Sequence, residues 1–157
     1  MEELDLHGLR MAEALEAFVA HHNSLAASGG GTGFKVIHGY GSSGSGGEIR
    51  AGIRSLLHSN PGCADYVPGE DMDGNPGYTV VYPRRRLPTG SQRLWDAMVE
   101  FCATPKTQAD VVHRFVRRNA EPEIVQGLRE LERRGRLRSF VKNGKKHLVD
   151  ARIRPRV

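Results

Sequence analysis

Hydrophobic and polar positions at the start of the chain alternate as in a strand and then repeat as in a helix. Residues 4–7 alternate two leucines with polar residues, a period of two that is typical of a half-buried strand. From about residue 10 to residue 22, apolar residues recur at i, i+4, i+7 and i+8, which predicts an amphipathic helix. Small residues predict a loop over 24–33, and residues 34–38 predict a short buried strand. Because a helix connects the two strands, they should form a parallel pair with a right-handed crossover.

A glycine-rich stretch, a second helix and two more strands follow. Residues 39–47 are rich in glycine, which lets main-chain N–H groups approach an anion closely. Apolar spacing predicts a helix over 48–59, and β-branched and aromatic residues predict strands at 64–67 and 78–82. The polar segment 68–77 is predicted to be a mobile hairpin loop. The order β-α-β-α-β-β predicts an α/β (α+β) two-layer sandwich, with the helices on one face of a mixed sheet.

The second part of the chain has a different pattern and predicts a separate domain. We expect one domain over residues 1–87 and another over residues 88–157. Apolar stripes predict three helices in the second domain, the last of which spans Pro122–Arg134 and is capped by Gly135. Two short strands then flank Asn143-Gly144, a strong signal for a two-residue hairpin turn. Three helices and a basic hairpin predict a winged helix-turn-helix domain, whose third helix would lie in a major groove.

The charges divide at nearly the same place. The formal net charge is +5, but residues 1–88 carry seven Lys and Arg against ten Asp and Glu, whereas residues 89–157 carry sixteen against eight. Net charges of −3 and +8 therefore predict that the second domain contacts a polyanion, most often nucleic acid. A solvated basic face or a protein-docking surface would have the same composition. The basic residues that we expect to contact phosphates are Arg129, Arg133, Arg134, Lys142, Lys145 and Lys146.

Composition and cysteine content narrow the class of protein. The chain is 38% hydrophobic and 26% charged, as is ordinary for a globular protein. No apolar run approaches the ~18 residues of a membrane helix, and no signal-peptide pattern opens the chain. Cys63 and Cys102 form no CxxC pair, so neither a disulfide framework nor a zinc site is expected. These features predict a cytoplasmic protein with no membrane association.

Candidate catalytic residues converge on one edge of the predicted sheet. The alternation puts Asp5 and His7 on one face of the first strand, roughly 7 Å apart at about 3.3 Å per residue. The two parallel strands end at His7 and His38, and such strand ends are where ligands bind in open α/β sheets. His7 would act as a general acid or base whose tautomer Asp5 fixes. His38 would be the complementary proton carrier.

A phosphate would be bound at the same edge. Its ligands would be the main chain at Gly39, Tyr40 and Gly41, together with Arg50 in the first turn of the following helix. Two histidines beside an anion could carry out RNA transesterification without a metal. Asp5 with a histidine could instead bind a divalent ion, Mg²⁺ or Mn²⁺, for hydrolysis. The residues alone leave both chemistries open.

Two motifs resemble those of the Smr (small MutS-related) domain family. They are Leu4-Asp5-Leu6-His7-Gly8 and Val36-Ile37-His38-Gly39-Tyr40-Gly41, and the resemblance covers about residues 3–87. It implies the fold of the C-terminal domain of translation initiation factor 3. It also implies a relation to endonucleases that nick DNA or cleave RNA, some of them at stalled or collided ribosomes. The Asp-x-His of the first motif matches the residues implicated in cleavage. Family members often have Lys where this chain has Tyr40, so one phosphate-contacting cation is absent.

These observations together predict a nucleic-acid endonuclease, with RNA slightly favoured over DNA. The second domain, which lies outside the resemblance, would aid binding to the substrate or the ribosome. The main alternative is a non-catalytic protein that binds RNA, DNA or the ribosome. Gly39-x-Gly41-x-x-Gly44, with Asp65 about twenty residues on, also matches a dinucleotide-binding fingerprint. That alternative is disfavoured because the glycines follow the second strand rather than the first. The oligomeric state is not predicted.

Overall fold

A computed structural model describes residues 1–41 and 46–154 of the chain. It divides the chain into two compact units, Met1–Thr89 and Gly90–Val157. The division falls two residues beyond the boundary predicted from the sequence. Each unit has its own hydrophobic core.

A four-stranded mixed sheet forms the centre of the first unit. Its strands lie in the order β1-β2-β4-β3, with β1 parallel to β2 as predicted and with β4 antiparallel to both of its neighbours. β1 is therefore an edge strand, whereas β2 has a neighbour on each side. The elements in chain order are β1 Glu2–Asp5, α1 Met11–Ala27, β2 Phe34–Ile37, α2 Gly46–Ser59, β3 Ala64–Pro68, α3 Gly69–Met72 and β4 Tyr78–Pro83.

Both long helices pack against the same face of this sheet. Phe34 lies opposite Val81 in the β2–β4 register, and Val36, two residues further along β2, points to the same side. These side chains share one core with Phe18 of α1 and Ile53 of α2, and all five are buried. The apolar faces predicted for the strands and for the helices thus pack together in a single apolar layer, as expected.

The first unit differs from the sequence-based prediction in two segments. The first helix continues to Ala27, so residues 24–27 are not part of a loop. Leu25 explains the extension, because it lies two turns beyond Phe18 and packs against the same core. The segment 68–77, which was predicted to be a loop, contains the short helix α3 between β3 and β4. Its polar sequence has no helical period that would have indicated this.

The second unit consists of three helices and a three-stranded antiparallel sheet. The three predicted helices and the predicted hairpin are present, and β5 is an additional strand of two residues, too short to show a period in the sequence. β5 pairs with β7, which pairs with β6. The elements in chain order are α4 Gly90–Phe101, β5 Lys106–Thr107, α5 Gln108–Phe115, α6 Glu121–Arg133, β6 Leu137–Lys142 and β7 Lys145–Asp150.

Two turns of the second unit have the backbone geometry that their residues predict. Gly135 has φ +73° just after α6, and the N–H of Arg136 donates to the carbonyl of Leu131 at 2.9 Å, which is the Schellman arrangement of a helix end. Asn143 and Gly144 have φ values of 53° and 74° between β6 and β7. Positive φ at both positions is what a two-residue hairpin turn requires.

The two cysteines and the lengths of the helices bear on the class of protein. Cys63 and Cys102 are both free thiols, and burial raises the pKa of Cys102 to about 11, which leaves it unreactive at neutral pH. In residues 1–41 and 46–154, no helix combines the length and the apolar character needed to cross a membrane.

Candidate active site

Asp5 and His7 form a contacting pair at the end of the first strand. β1 ends at Asp5, and the chain turns at His7 and Gly8, where φ is +79°. The His7 Nδ1 atom lies 2.5 Å from Asp5 Oδ1, which also accepts the backbone N–H of His7 at 3.1 Å. The side chain of Asp5 is 51% exposed and that of His7 is 70% exposed, whereas Leu6 between them is fully buried. The predicted alternation is therefore present, but the turn brings the two groups into contact instead of leaving them one strand repeat apart.

The contact favours the ionised form of Asp5 and orients the ring of His7. The hydrogen bond with the His7 side chain lowers the pKa of Asp5, so the carboxylate is ionised at neutral pH. An ionised Asp5 can only accept, so His7 Nδ1 carries the proton that it donates to Oδ1. Nε2 of His7 is then the nitrogen that can take or give a proton, which is the arrangement of an oriented general acid or base.

The second motif lies directly against the first. A Cβ atom on Gly39 would sit 3.7 Å from the Cβ of His7, so the main chain of Gly39 borders the histidine. Gly39 and Gly41 both have φ +82°, a conformation that favours glycine and explains why this residue type occurs on either side of Tyr40. The N–H groups of His38 and Gly39 both donate to the carbonyl of Gly77, at 3.1 and 3.0 Å. The predicted convergence of the two motifs at one sheet edge is thus present.

Tyr40 projects from this edge with its ring against the main chain. The side chain is 64% exposed. A Cβ atom on Gly77 would lie 3.3 and 3.4 Å from two carbons of the ring, so the ring lies close to the main chain of Gly77. Gly77 is itself held in place, because its N–H donates to Asn75 Oδ1 at 2.8 Å.

His38 differs from its predicted position. It was expected to face the ligand beside His7, but it is fully buried. Its Nε2 lies 3.0 Å from Thr79 Oγ1 and its Nδ1 lies 3.2 Å from the Gly39 carbonyl. Burial lowers the pKa of His38, which keeps the ring neutral at neutral pH. The cause is sheet order: His7 follows an edge strand, whereas His38 follows an interior strand covered by β4. The geometry suits a positioning residue better than a proton carrier.

A polar network extends from buried His38 toward the surface and was not predicted. Arg54 of α2 donates from Nε to Thr79 Oγ1 at 3.2 Å and forms two further hydrogen bonds with the Glu70 carboxylate, at 2.6 and 2.8 Å. The hydrogen bond from Arg54 lowers the pKa of Glu70 to about 2. The pairing joins α2 to α3, so it depends on a helix that the sequence pattern does not reveal.

Arg50 lies close to this network and is available to a ligand. Its charge acts on both His38 and Glu70 and lowers the pKa of each. Its guanidinium forms no ion pair with any residue in 1–41 or 46–154. Of the predicted phosphate-binding stretch, Ser42–Ser45 lie outside the described residues, so the structure describes the Gly39–Gly41 part and the helix that begins at Gly46.

Comparison with known proteins identifies the first unit. The family model described as the Smr domain matches residues 4–84. The chain belongs to the Smr domain family. It is also similar to the solved structure titled "Crystal structure of the Smr domain of Thermus thermophilus MutS2", at 30% sequence identity and a TM-score of 0.45. That similarity covers 54% of this chain and 99% of the other. The comparison with curated proteins found no match.

Strand direction bears on the dinucleotide alternative, and the arrangement of acidic side chains bears on metal binding. β4 of the Smr domain runs antiparallel to β2, unlike the parallel strands of a Rossmann unit, which disfavours the dinucleotide fingerprint. Among the described residues, no group of three or more His, Cys, Asp and Glu side chains could hold a metal ion. Asp5 is the exposed carboxylate that lies beside His7. Mg²⁺ typically uses one or two carboxylates together with substrate phosphates.

The six predicted phosphate contacts lie outside the Smr domain and fall into two sets. Three of them are paired with carboxylates of α6: Arg134 Nε donates to Glu130 at 2.8 Å, Arg133 also bonds Glu130, and Lys146 Nζ lies 3.0 Å from Glu132. The other three are exposed and form no ion pair with any residue that the structure describes, and they are Arg129, Lys142 and Lys145.

Proposed function

We propose that this chain is an endonuclease that cleaves phosphodiester bonds of nucleic acid, with RNA favoured over DNA. The observation that carries the proposal is the exposed Asp5–His7 pair, in contact at 2.5 Å and bordered by the main chain of Gly39. Membership of the Smr domain family supports it, because the pair occupies the motif that the resemblance associates with cleavage.

RNA is favoured because its sugar carries the nucleophile. With His7 as general base, Nε2 takes the proton of a ribose 2′-hydroxyl while that oxygen attacks the adjacent phosphorus. The bond from phosphorus to the 5′-oxygen of the next nucleotide breaks, and that oxygen leaves with a proton. His38 was predicted to supply this proton, but because it is buried we assign the transfer to solvent. The negative charge of Asp5 stabilises the imidazolium that forms on His7.

A divalent ion is the second chemistry that the site could use. Asp5 would be its protein ligand, with Mg²⁺ or Mn²⁺ also bound by phosphate oxygens of the substrate. Such an ion would polarise the phosphate and activate a water for hydrolysis, which would also suit DNA. Arg50 and the Gly39–Gly41 main chain would orient the phosphate in either case.

We assign the second unit to binding. Three helices with β5 paired to β7 support a winged helix-turn-helix, and its exposed cations Arg129, Lys142 and Lys145 would contact the phosphates of the substrate or of the ribosome. The order β1-β2-β4-β3 likewise supports the predicted fold of the C-terminal domain of translation initiation factor 3. We place such a protein in the cytoplasm.

A non-catalytic protein that binds RNA, DNA or the ribosome is the alternative. The burial of His38 favours it, because the edge then carries one exposed histidine rather than the two that were predicted.

The test is cleavage by the full chain and by matched variants. Labelled single-stranded RNA, structured RNA and supercoiled DNA are incubated with wild type, His7→Ala and Asp5→Ala. His58→Ala and Asp71→Ala serve as controls, because they remove exposed side chains of the same types elsewhere in the first unit. We expect each of the first two variants to lose about 10²-fold or more of the cleavage rate and the controls to retain it.

A chelator separates the two chemistries, since metal-free transesterification would continue in its presence and would leave a cyclic phosphate on RNA. Absence of cleavage by wild type would favour the binding protein. Cleavage that is unaffected by His7→Ala and Asp5→Ala would contradict the assignment of catalysis to this pair.

A further inference from the structure

Tyr40 is an exposed aromatic side chain with no part in the proton chemistry. In residues 1–41 and 46–154 it is the one aromatic residue that is largely exposed. A tyrosine side chain carries no positive charge, so it attracts phosphate far less than a lysine would. What its ring offers is a flat π-face, which stacks on nucleobases of any sequence.

The main chain around Tyr40 has a defined conformation, and the ring lies near Gly77. Gly39 and Gly41 on either side have φ +82°, and the N–H of Gly39 is bonded to the Gly77 carbonyl at 3.0 Å. One side of the ring rests on Gly77, whose own N–H is fixed by Asn75. A ring that has a neighbour on one side loses less conformational entropy when a base stacks on it than an entirely free ring would.

The main chain of Tyr40 also lies close to the Asp5–His7 pair. Gly39 borders His7, and Tyr40 is the following residue, with its Cα about 3.8 Å further along the chain. A base on this ring would therefore belong to a nucleotide close to the phosphate that His7 and Arg50 engage. Tyr40 follows the glycine that borders His7, and the charge of Arg50 acts on neighbouring His38. A ring, a histidine and an arginine in this part of the domain would suit the base, the sugar hydroxyl and the phosphate of a single nucleotide step.

We propose that Tyr40 stacks on an unpaired base beside the scissile phosphate and thereby selects single-stranded over duplex nucleic acid. The proposal rests on the proposed function, since it concerns the substrate of the same site. Selection follows because a paired base is already stacked within its helix, and exposing its face requires unpairing. A base in a single strand, a loop or a bulge meets the ring without that penalty.

The test is binding by the full chain in a His7→Ala background, so that the probe stays intact. The probes are single-stranded RNA and DNA oligonucleotides, and their duplexes, that carry a fluorescent adenine analogue whose emission falls when it stacks. We expect quenching with Tyr40 and with Tyr40→Phe, and affinity about 10-fold lower without quenching for Tyr40→Ala. Tyr40→Lys should recover affinity because the added positive charge contacts phosphate. Its binding should then depend more steeply on salt concentration and show no quenching. Met72→Ala removes another exposed apolar side chain and should change nothing.

Different results would overturn different claims. Unchanged affinity and quenching in Tyr40→Ala would overturn the stacking proposal, as would tighter binding of duplex than of single strand. A Tyr40→Phe variant as weak as Tyr40→Ala would also overturn it, because the hydroxyl rather than the ring would then make the contact. Binding with Tyr40-dependent quenching but no cleavage by wild type would contradict the endonuclease and support the stacking. Absence of binding to every probe would contradict both.

Discussion

The two units present their candidate functional groups in different ways. In the Smr domain, the turn after β1 brings the short side chains of Asp5 and His7 together, and the main chain of Gly39 borders His7. In the second unit, the candidate groups are long basic side chains, and three of the six are paired with Glu130 or Glu132 of α6. The pair in the Smr domain is therefore arranged before a ligand arrives. In the second unit, the number of basic residues overstates the positive charge that a ligand would meet, because carboxylates neutralise part of it.

Burial adds to this difference. Behind the exposed pair of the Smr domain, His38 and Thr79 are fully buried and bonded to each other, with Arg54 completing the network. The ion pairs of α6 instead lie at the surface, where such pairs contribute about 0–1 kcal/mol. The buried network of the Smr domain therefore keeps its side chains in place when a ligand binds. The basic residues of α6 and β7 can instead exchange a glutamate for a phosphate at small free-energy cost.

Among variants that test this comparison, Thr79→Val is expected to have the largest effect, a loss of stability. The substitution keeps the shape of the side chain but removes the oxygen that bonds the Nε2 of buried His38 at 3.0 Å. Leaving a buried polar group unpaired should lower the free energy of unfolding of the full chain by about 1–3 kcal/mol, measured in urea. Thr32→Val makes the same chemical change at an exposed position and should stay within about 0.5 kcal/mol of wild type. Equal effects of the two substitutions would show that the network does not stabilise the site.

A smaller, pH-dependent effect is expected from Glu70→Gln. The Glu70 carboxyl has its pKa lowered to about 2 by Arg54, so ionised Glu70 stabilises the folded state above its ordinary pKa of 4.5. That stabilisation is lost as the pH falls through about 2, because the carboxyl is then protonated in both states. The variant should therefore be less stable than wild type in urea at pH 7, and the gap should narrow as the pH falls below about 4.5. Glu16→Gln, at another exposed glutamate, is the control. A gap that does not change with pH would contradict a stabilising role for the ion pair.

The smallest effect distinguishes two neighbouring lysines of the second unit. Lys145 has no carboxylate beside it among the described residues, whereas Lys146 lies 3.0 Å from Glu132. Lys145→Gln should reduce the slope of log affinity for nucleic acid against log salt concentration by about 1, as expected for one lost phosphate contact. Lys146→Gln removes the same charge from a side chain that is already paired and should change the slope less. Equal changes would mean that the ion pairs of α6 do not limit binding.

Local sequence patterns predicted most of the elements and the proximity of the two candidate motifs. The alternation at residues 4–7, the helical spacing before β2 and Asn143-Gly144 each depend on neighbouring residues, so a single sequence reveals them. The pattern did not reveal α3 or β5, because a helix of four residues and a strand of two are too short to show a period. It therefore also missed the pairing of Arg54 with Glu70.

The sequence by itself determined that Asp5 and His7 face outward together, that a glycine-flanked Tyr40 follows β2, and that the positive charge lies in the second half of the chain. Only the tertiary structure decided which histidine is exposed. His7-Gly8 and His38-Gly39 have the same local pattern, but β1 is an edge strand and β2 an interior one. The antiparallel β4 brings Thr79 against His38 and buries it, while nothing pairs with the outer edge of β1 in the part of the chain that the structure describes. Strand order depends on contacts between distant residues, so no local pattern contains it.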